Sequence, residues 1–319
     1  MCAKRGFSLG YQFERAINDC FTPGVPKEKY EGNPFVYSYT YRHDLIKTGY
    51  DIAHFIESEF QNVKWAKDIT SDILLCFVAS KKADECSSAY FAKLKSHIHK
   101  LQYICNHRYN LKNDVEIKWK GNIDVPKGVA SVRAAARMSN DDLRTLKAYI
   151  IESGTRSEAA IAVELTDILG CRVEESPCIR VKDISFESGI NKYGIATHGT
   201  VRITNGKGGL IRNIDIFTAE DVDRLRSFCI GKSDNDTLVT IKKTTINNWL
   251  NKAMKACGIK ARYPKAGIHS IRKNYCQNLW DRNKAAGLSW KENRAFCNSQ
   301  IGHGPDRYVL AIYCDMVKY

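Results

Sequence analysis

Six residues in the second half of the chain have types and spacings that suit chemistry on a phosphate. His269 and Arg272 stand three apart in His269-Ser270-Ile271-Arg272. On a helix that spacing puts them on one face, with Ile268, Ile271, Tyr275 and Leu279 forming the adjoining apolar face. Arginine fits a phosphate because its planar guanidinium donates two hydrogen bonds at once. Arg172, with Glu175 three residues on, follows Gly170, where the helical pattern of Ile161, Leu165, Ile168 and Leu169 stops. Lys207 lies in Gly206-Lys207-Gly208-Gly209, at the tip of an expected hairpin. It is not a nucleotide-binding P-loop, because the required glycine spacing is missing and no helix follows. Ile301-Gly302-His303-Gly304 and Ala311-Ile312-Tyr313 complete the series. Taken singly, each fragment also fits ordinary packing or a surface ion pair.

The elements that must hold these residues read as mostly α with a small antiparallel sheet. Val201-Arg202-Ile203-Thr204, a turn over 205–209 and a second strand over 210–216 predict a β-hairpin. Helices are expected near 219–228 and 245–257, and from Ile268 onward. Ser139 or Asn140 can cap a helix whose first turn holds Asp141 and Asp142, and a catalytic domain is placed over 139–319. Residues 121–138, with Gly121, Pro126 and Gly128, read as a linker, and 51–120 as a helical DNA-binding domain. There Phe91, Leu94, Ile98, Leu101 and Cys105 form one apolar stripe, while Lys93, Lys95, His97, His99 and Lys100 occupy other faces. Seven Lys/Arg against two acids over 81–112 make this stretch a candidate DNA grip, through Lys81, Lys82, Lys93, Lys95 and Lys100. Residues 1–50, rich in aromatics and broken by Pro23, Pro26 and Pro34, form an N-terminal extension with no firm assignment.

Length and composition narrow the partners. The chain has 319 residues, enough for about two domains. The longest apolar run, 73–79, is far short of a membrane span. No apolar stretch follows the charges of the N-terminus, so an intracellular, cytoplasmic protein is expected. A net charge of +14, spread along the chain, points to a polyanion, since each phosphate neutralised releases counterions. The twelve cysteines include no Cys-x-x-Cys and no zinc-ligand spacing. They read as reduced thiols, and no metal is expected.

In chain order the candidates supply an Arg, a hairpin Lys, a His-x-x-Arg, a Gly-His and a late Tyr. This set resembles the tyrosine recombinase (phage integrase) family. Arg172-Val173 with Glu175, followed by Asp183-Ile184, is similar to the family's Arg-Val-x-Glu…Asp-Ile stretch. Gly206-Lys207-Gly208 is similar to its hairpin turn, Ile301-Gly302-His303 to its Leu-Gly-His box and Ile312-Tyr313 to its nucleophile. The resemblance covers about 139–319, with four departures. Lys207 comes 35 residues after Arg172, so 188–199 reads as an insertion, and 283–293 as a second one. Tyr313 lies ten residues past His303, which leaves Tyr308 and Tyr319 as rival nucleophiles. Six residues follow Tyr313, fewer than many relatives use to dock on a neighbouring subunit.

The resemblance implies a two-domain clamp around double-stranded DNA that cuts and rejoins it through a 3′-phosphotyrosyl link. Tyr313 would be the nucleophile, and Arg172 and Arg272 would hold the charge that builds on the phosphate. Lys207 would protonate the leaving 5′-oxygen, and His269 and His303 would position the phosphate and assist proton transfer. Glu175 would orient the cations. No cofactor is implied, and strand exchange by a homo-tetramer is. An accessory DNA-bending protein, and the choice between integration, excision, inversion and dimer resolution, are left open. Residues 1–50 are short for an arm-binding domain, so core-site binding alone is expected. Two other outcomes share the residues: relaxation by a type IB topoisomerase-like enzyme, and DNA binding by an inactive relative.

Overall fold

Hydroxyl side chains start the helices of the first part of the chain. A computed structural model of the protein describes residues 8–28, 30–109, 119, 136–152, 157–206, 209–304 and 310–314. It divides into two units, Met1–Val132 and Arg133–Tyr319. In the first, α1 (Leu9–Asp19), α2 (Tyr39–Glu59), α3 (Ser71–Ala83) and α4 (Ser88–Arg108) follow Ser8, Ser38, Thr70 and Ser87. Each of these caps accepts a hydrogen bond from the backbone N–H three residues on, satisfying a donor the helix leaves open. The division at residue 50 falls inside α2, and α1 supplies Phe13 and Ile17 to the same core as α2 and α4. Residues 8–50 are thus built into the helical unit.

The apolar stripe of α4 is buried from Phe91 to Cys105. Trp119 joins it, its indole Nε1 donating to the Ile69 carbonyl at 2.9 Å and its backbone N–H to Gln102 at 2.8 Å. His97 departs from the expected basic face. It lies at the edge of the stripe, three residues after Leu94 and beside Ile98, and is buried with Nδ1 2.7 Å from the Thr48 hydroxyl. Burial, helped by the Lys93 charge, holds its pKa down to about 4, so it adds no positive charge. Lys100 is half withdrawn too: its ammonium donates to the Asn33 carbonyl at 2.6 Å, and burial lowers its pKa to about 8. Lys93 pairs with Asp44 and Lys81 with Asp84, whereas Lys82 and Lys95 are exposed. No described helix is long and apolar enough to cross a membrane.

The second unit mixes helices with a small sheet. Ser139 caps α5 (Asn140–Glu152), its hydroxyl taking the Asp142 N–H at 3.1 Å. Next, α6 (Glu158–Leu169) ends at Gly170, whose φ of 57° is the left-handed turn that stops the helix. Strands β1 (Ile184–Ser185), β4 (Gly199–Ile203) and β5 (Arg212–Ile216) form an antiparallel sheet in the order β1-β4-β5. The expected hairpin is β4–β5, with Val201 opposite Ile214 and Ile203 opposite Arg212. Its second strand begins at Arg212, later than read from sequence, because Leu210 and Ile211 are exposed in the turn. The insertion at 188–199 is a second hairpin, β2 (Gly189–Ile190) with β3 (Ala196–Thr197), fastened by Asn191 to Asp215 at 2.8 Å.

Five helices follow: α7 (Ala219–Cys229), α8 (Lys243–Ala256), α9 (Ile259–Arg262), α10 (Ile268–Ala285) and α11 (Trp290–Gln300). The one-turn α12 (Leu310–Tyr313) comes after them. Leu165, Val201, Ile214, Leu250 and Ile271 share the main core. A second cluster joins Tyr275 and Leu279 of α10 to Phe296 of α11 and Leu310 of α12. In the extra segment at 283–293, Asn283 donates to Asn293 at 2.9 Å, and Asn293 to the Trp280 carbonyl at 2.9 Å. That segment therefore ties α10 to α11. Lys207 and the rival tyrosines Tyr308 and Tyr319 lie outside the described residues, as does most of the linker over 121–138.

Candidate active site

Three helix ends and one strand deliver the candidate residues to a common place. Directly after Gly170 the chain turns, and Arg172 meets Glu175 in that turn. Its backbone N–H donates to Glu175 Oε2 at 2.7 Å and its Nη1 to Oε1 at 2.8 Å. A second guanidinium closes on the same carboxylate from β5: Arg212 Nη1 donates to Oε1 at 3.0 Å and Nη2 to Oε2 at 2.7 Å. Arg212 Nε donates to the Gln300 carbonyl at the end of α11, at 3.1 Å. Glu175 is 1% exposed. Burial alone would raise its pKa, but the hydrogen bonds and charge of Arg212, with those of Arg172, outweigh it and hold the group at about 2. It is therefore a fixed anion at neutral pH and cannot serve as a proton donor.

That depressed pKa has a direction. Glu175 contributes stability that is present above its ordinary value of 4.5 and is lost as pH falls toward 2. Glu175→Gln should unfold at lower urea concentration than the wild type at pH 7, and the gap should narrow as pH drops through that window. Urea melts at several pH values measure it.

Arg272 sits in the first turns of α10 and is 1% exposed. Its Nη1 donates to the Gly170 carbonyl and its Nη2 to the Ile301 carbonyl. These carbonyls close α6 and α11, so one buried guanidinium meets the negative ends of two helices, the place where such a charge is most easily kept. Its guanidinium carbon is 5.6 Å from the centre of the Tyr313 ring. The His303 ring lies 5.9 Å from the same tyrosine, centre to centre. One turn before Arg272, His269 reaches the surface. Partial desolvation, then the charges of Arg272 and Arg172, push its pKa below the usual 6.5, so it is a neutral imidazole at pH 7. Behind Tyr313, the Cys314 and Cys276 sulfurs stand 3.7 Å apart and fasten α12 to α10. The described cysteines are all free thiols.

Gly302 is where the arginines crowd the backbone. Its φ is 70°, and a Cβ there would stand 2.9 Å from Arg212 Nη1 and 3.2 Å from Arg172 Nη1. Gly302→Ala must therefore strain the turn and displace two guanidiniums. A loss of about 1–3 kcal/mol is expected, read as a lower melting temperature.

The structure thus places Arg172, Glu175, His269, Arg272, His303 and Tyr313 around one spot. Among the described residues, the Arg172 and Arg212 guanidiniums share the Glu175 carboxylate and the Arg272 guanidinium rests on two backbone carbonyls, leaving positive charge for an anion to meet. Among those residues no group of three or more His, Cys, Asp or Glu could hold a metal ion. Asp183 serves the backbone: it accepts from the Arg180 N–H at 3.1 Å and from Nε at 3.0 Å. Arg212 was absent from the sequence reading. Its signal is strand alternation, since Arg212, Ile214 and Ile216 point the same way and the two isoleucines are core.

No family model and no curated relative matches this chain. Solved structures do. A XerH site-specific recombinase bound to difH substrate, in a pre-cleavage complex, matches with a TM-score of 0.64 and 13% identity. The match covers 96% of this chain and 92% of that one. A lambda integrase tetramer bound to a Holliday junction matches with a TM-score of 0.56 and 14% identity, over 89% and 74%. The Tn1549 transposon integrase in complex with circular intermediate DNA gives 0.55 and 11%, over 98% and 97%. At these identities the likeness is one of fold: mostly helical, with a small antiparallel sheet.

Proposed function

We propose that this chain, which has the fold of the tyrosine recombinases, is a site-specific DNA recombinase that cuts and rejoins duplex DNA through Tyr313. The observation that carries this is the tyrosine's setting: its ring stands beside a buried arginine and a histidine, next to guanidiniums that outnumber the carboxylate. The Tyr313 oxygen attacks a backbone phosphorus, the P–O5′ bond breaks, and a 3′-phosphotyrosyl link and a 5′-hydroxyl result. The phenolic proton leaves to His269, which is neutral and able to accept it, or to water. Lys207 gives its ammonium proton to the departing 5′-oxygen. Arg172 and Arg272 stabilise the charge on the non-bridging oxygens, and His303 positions the phosphate beside Tyr313. Glu175 orients Arg172 and takes no part in proton transfer. Religation runs the same steps backward with another strand's 5′-hydroxyl, so no cofactor is consumed.

Double-stranded DNA is the partner, and exchange of strands calls for four copies, the state in which the lambda integrase matches. Of the five candidate lysines, Lys82, Lys93 and Lys95 are exposed; Lys82 and Lys95 suit phosphate contact, whereas Lys93 is paired with Asp44, Lys81 with Asp84 and Lys100 with the Asn33 carbonyl.

The test is covalent capture. Purified protein is incubated with fragmented source DNA carrying random nicks, which trap the cleaved state, then denatured in detergent, and the attached DNA is sequenced. Adducts clustered at one inverted repeat are expected. Adducts scattered without sequence preference would replace strand exchange by topoisomerase-like relaxation, and tight binding without adducts would leave a DNA-binding protein only.

A further inference from the structure

Gly206 and Gly209, which flank the proposed acid Lys207 in sequence, are braced from below by one side chain of β5. Arg212 is the residue of β5 paired with Ile203, the last rung before the turn over 204–211. The residue is 9% exposed and its guanidinium points inward. All three of its nitrogens are engaged: two on Glu175, the third on the Gln300 carbonyl. It also touches the turn itself, for a Cβ on Gly206 would stand 3.2 Å from Arg212 Nη1. Gly206, the residue before Lys207, thus lies directly against the guanidinium, and its N–H donates to the Leu210 carbonyl at 3.0 Å. Gly209 returns to the Gly206 carbonyl at 2.9 Å. The stem of the turn therefore rests on Arg212, and Arg212 rests on the carboxylate that holds Arg172.

We infer that Arg212 is a positioning residue that sets the Lys207 turn against the Arg172–Glu175 pair, so that its loss impairs leaving-group protonation. The inference rests on the reading of Lys207 as the acid. An ion pair that served stability alone would not need the third donor on Gln300, nor a glycine packed against its nitrogen. A lysine at 212 could keep the charge beside Glu175 but has no fork to reach both the carboxylate and the α11 carbonyl.

Two measurements on Arg212→Lys and Arg212→Ala test this. Amide hydrogen exchange needs no DNA: Gly206 and Gly209 should exchange at least about tenfold faster in the variants, while Val201 and Ile214 keep their protection. Unchanged exchange at Gly206 and Gly209 would overturn the inference. Single-turnover cleavage then uses a nicked duplex carrying the captured site, with either the normal 5′-oxygen or a bridging 5′-sulfur at the scissile phosphate. Sulfur is a good leaving group without protonation, so an acid defect should vanish on it. Arg212→Lys should cleave the oxygen substrate about 10–100-fold more slowly and the sulfur substrate at close to the wild-type rate, as Lys207→Ala should. A defect in Arg212→Lys that persists on sulfur, while that of Lys207→Ala disappears, would show that Arg212 acts through Arg172 instead. If Lys207→Ala does not recover on sulfur, the acid reading fails, and Arg212 as a positioner of that acid fails with it.

Discussion

Tyr313→Phe should bind its DNA as the wild type does and form no covalent adduct with it. The substitution removes one oxygen, and with it the hydroxyl's hydrogen bond to Arg272, but keeps the ring, so the ring contacts to Arg272 and His303 survive. What disappears is the proposed nucleophile. Covalent catalysis without its nucleophile falls by many powers of ten, so adducts should drop at least about 10⁴-fold. Denaturing gels on a nicked duplex read the adduct, and gel shifts read the affinity, which should stay within about threefold. Adducts that persist would move the nucleophile to Tyr308 or Tyr319. Binding lost together with cleavage would mean that the hydroxyl grips DNA and does not attack it.

The proposed catalytic set could be assembled from sequence because it consists of short local strings, each with its own turn or helix start. Gly170 before Arg172, Gly302 before His303 and the His269–Arg272 spacing are visible without knowing what packs where. The sheet and most helices of the second unit were legible for the same reason, as with the Ser139 cap and the alternation across β4 and β5. The parts that escaped are polar groups whose partners are distant in sequence. Arg212 finds Glu175 across 37 residues and Gln300 across 88, and nothing near 212 announces either. His97 looked like one more basic residue of α4, yet its partner Thr48 lies 49 residues away on α2. Residues 8–50 were opaque for a related reason. Their prolines and aromatics give no firm assignment, while α1 gains its place from burying Phe13 and Ile17 against helices that come later. Local pattern reports period and punctuation, and buried polar pairing is a property of the assembled core.

Arg272→Lys should be as damaging as a change of charge, although the charge is kept. The wild-type guanidinium already spends one donor on the Gly170 carbonyl and one on the Ile301 carbonyl, so its remaining face is presented at a fixed angle toward Tyr313. An ammonium on a flexible stem cannot reach two helix-end carbonyls and a phosphate together. One carbonyl is then left without its partner in a site that is 1% exposed, at a cost of about 1–3 kcal/mol. The chemical step loses the preorganised fork at the developing charge. A single arginine placed on a transferring phosphate is worth about 10³–10⁵ in rate, so single-turnover cleavage should fall at least about 10³-fold. Melting the variant separates the two effects, because instability lowers the folded fraction and leaves the rate of the folded remainder unchanged. Arg172→Lys makes the contrast. That side chain is 16% exposed and braced through Glu175, so its substitution should cost less stability for a comparable loss of rate. If Arg272→Lys cleaved within tenfold of the wild type, the buried arginine would be a helix-end clamp alone, and the charge on the phosphate would have to be carried by Arg172.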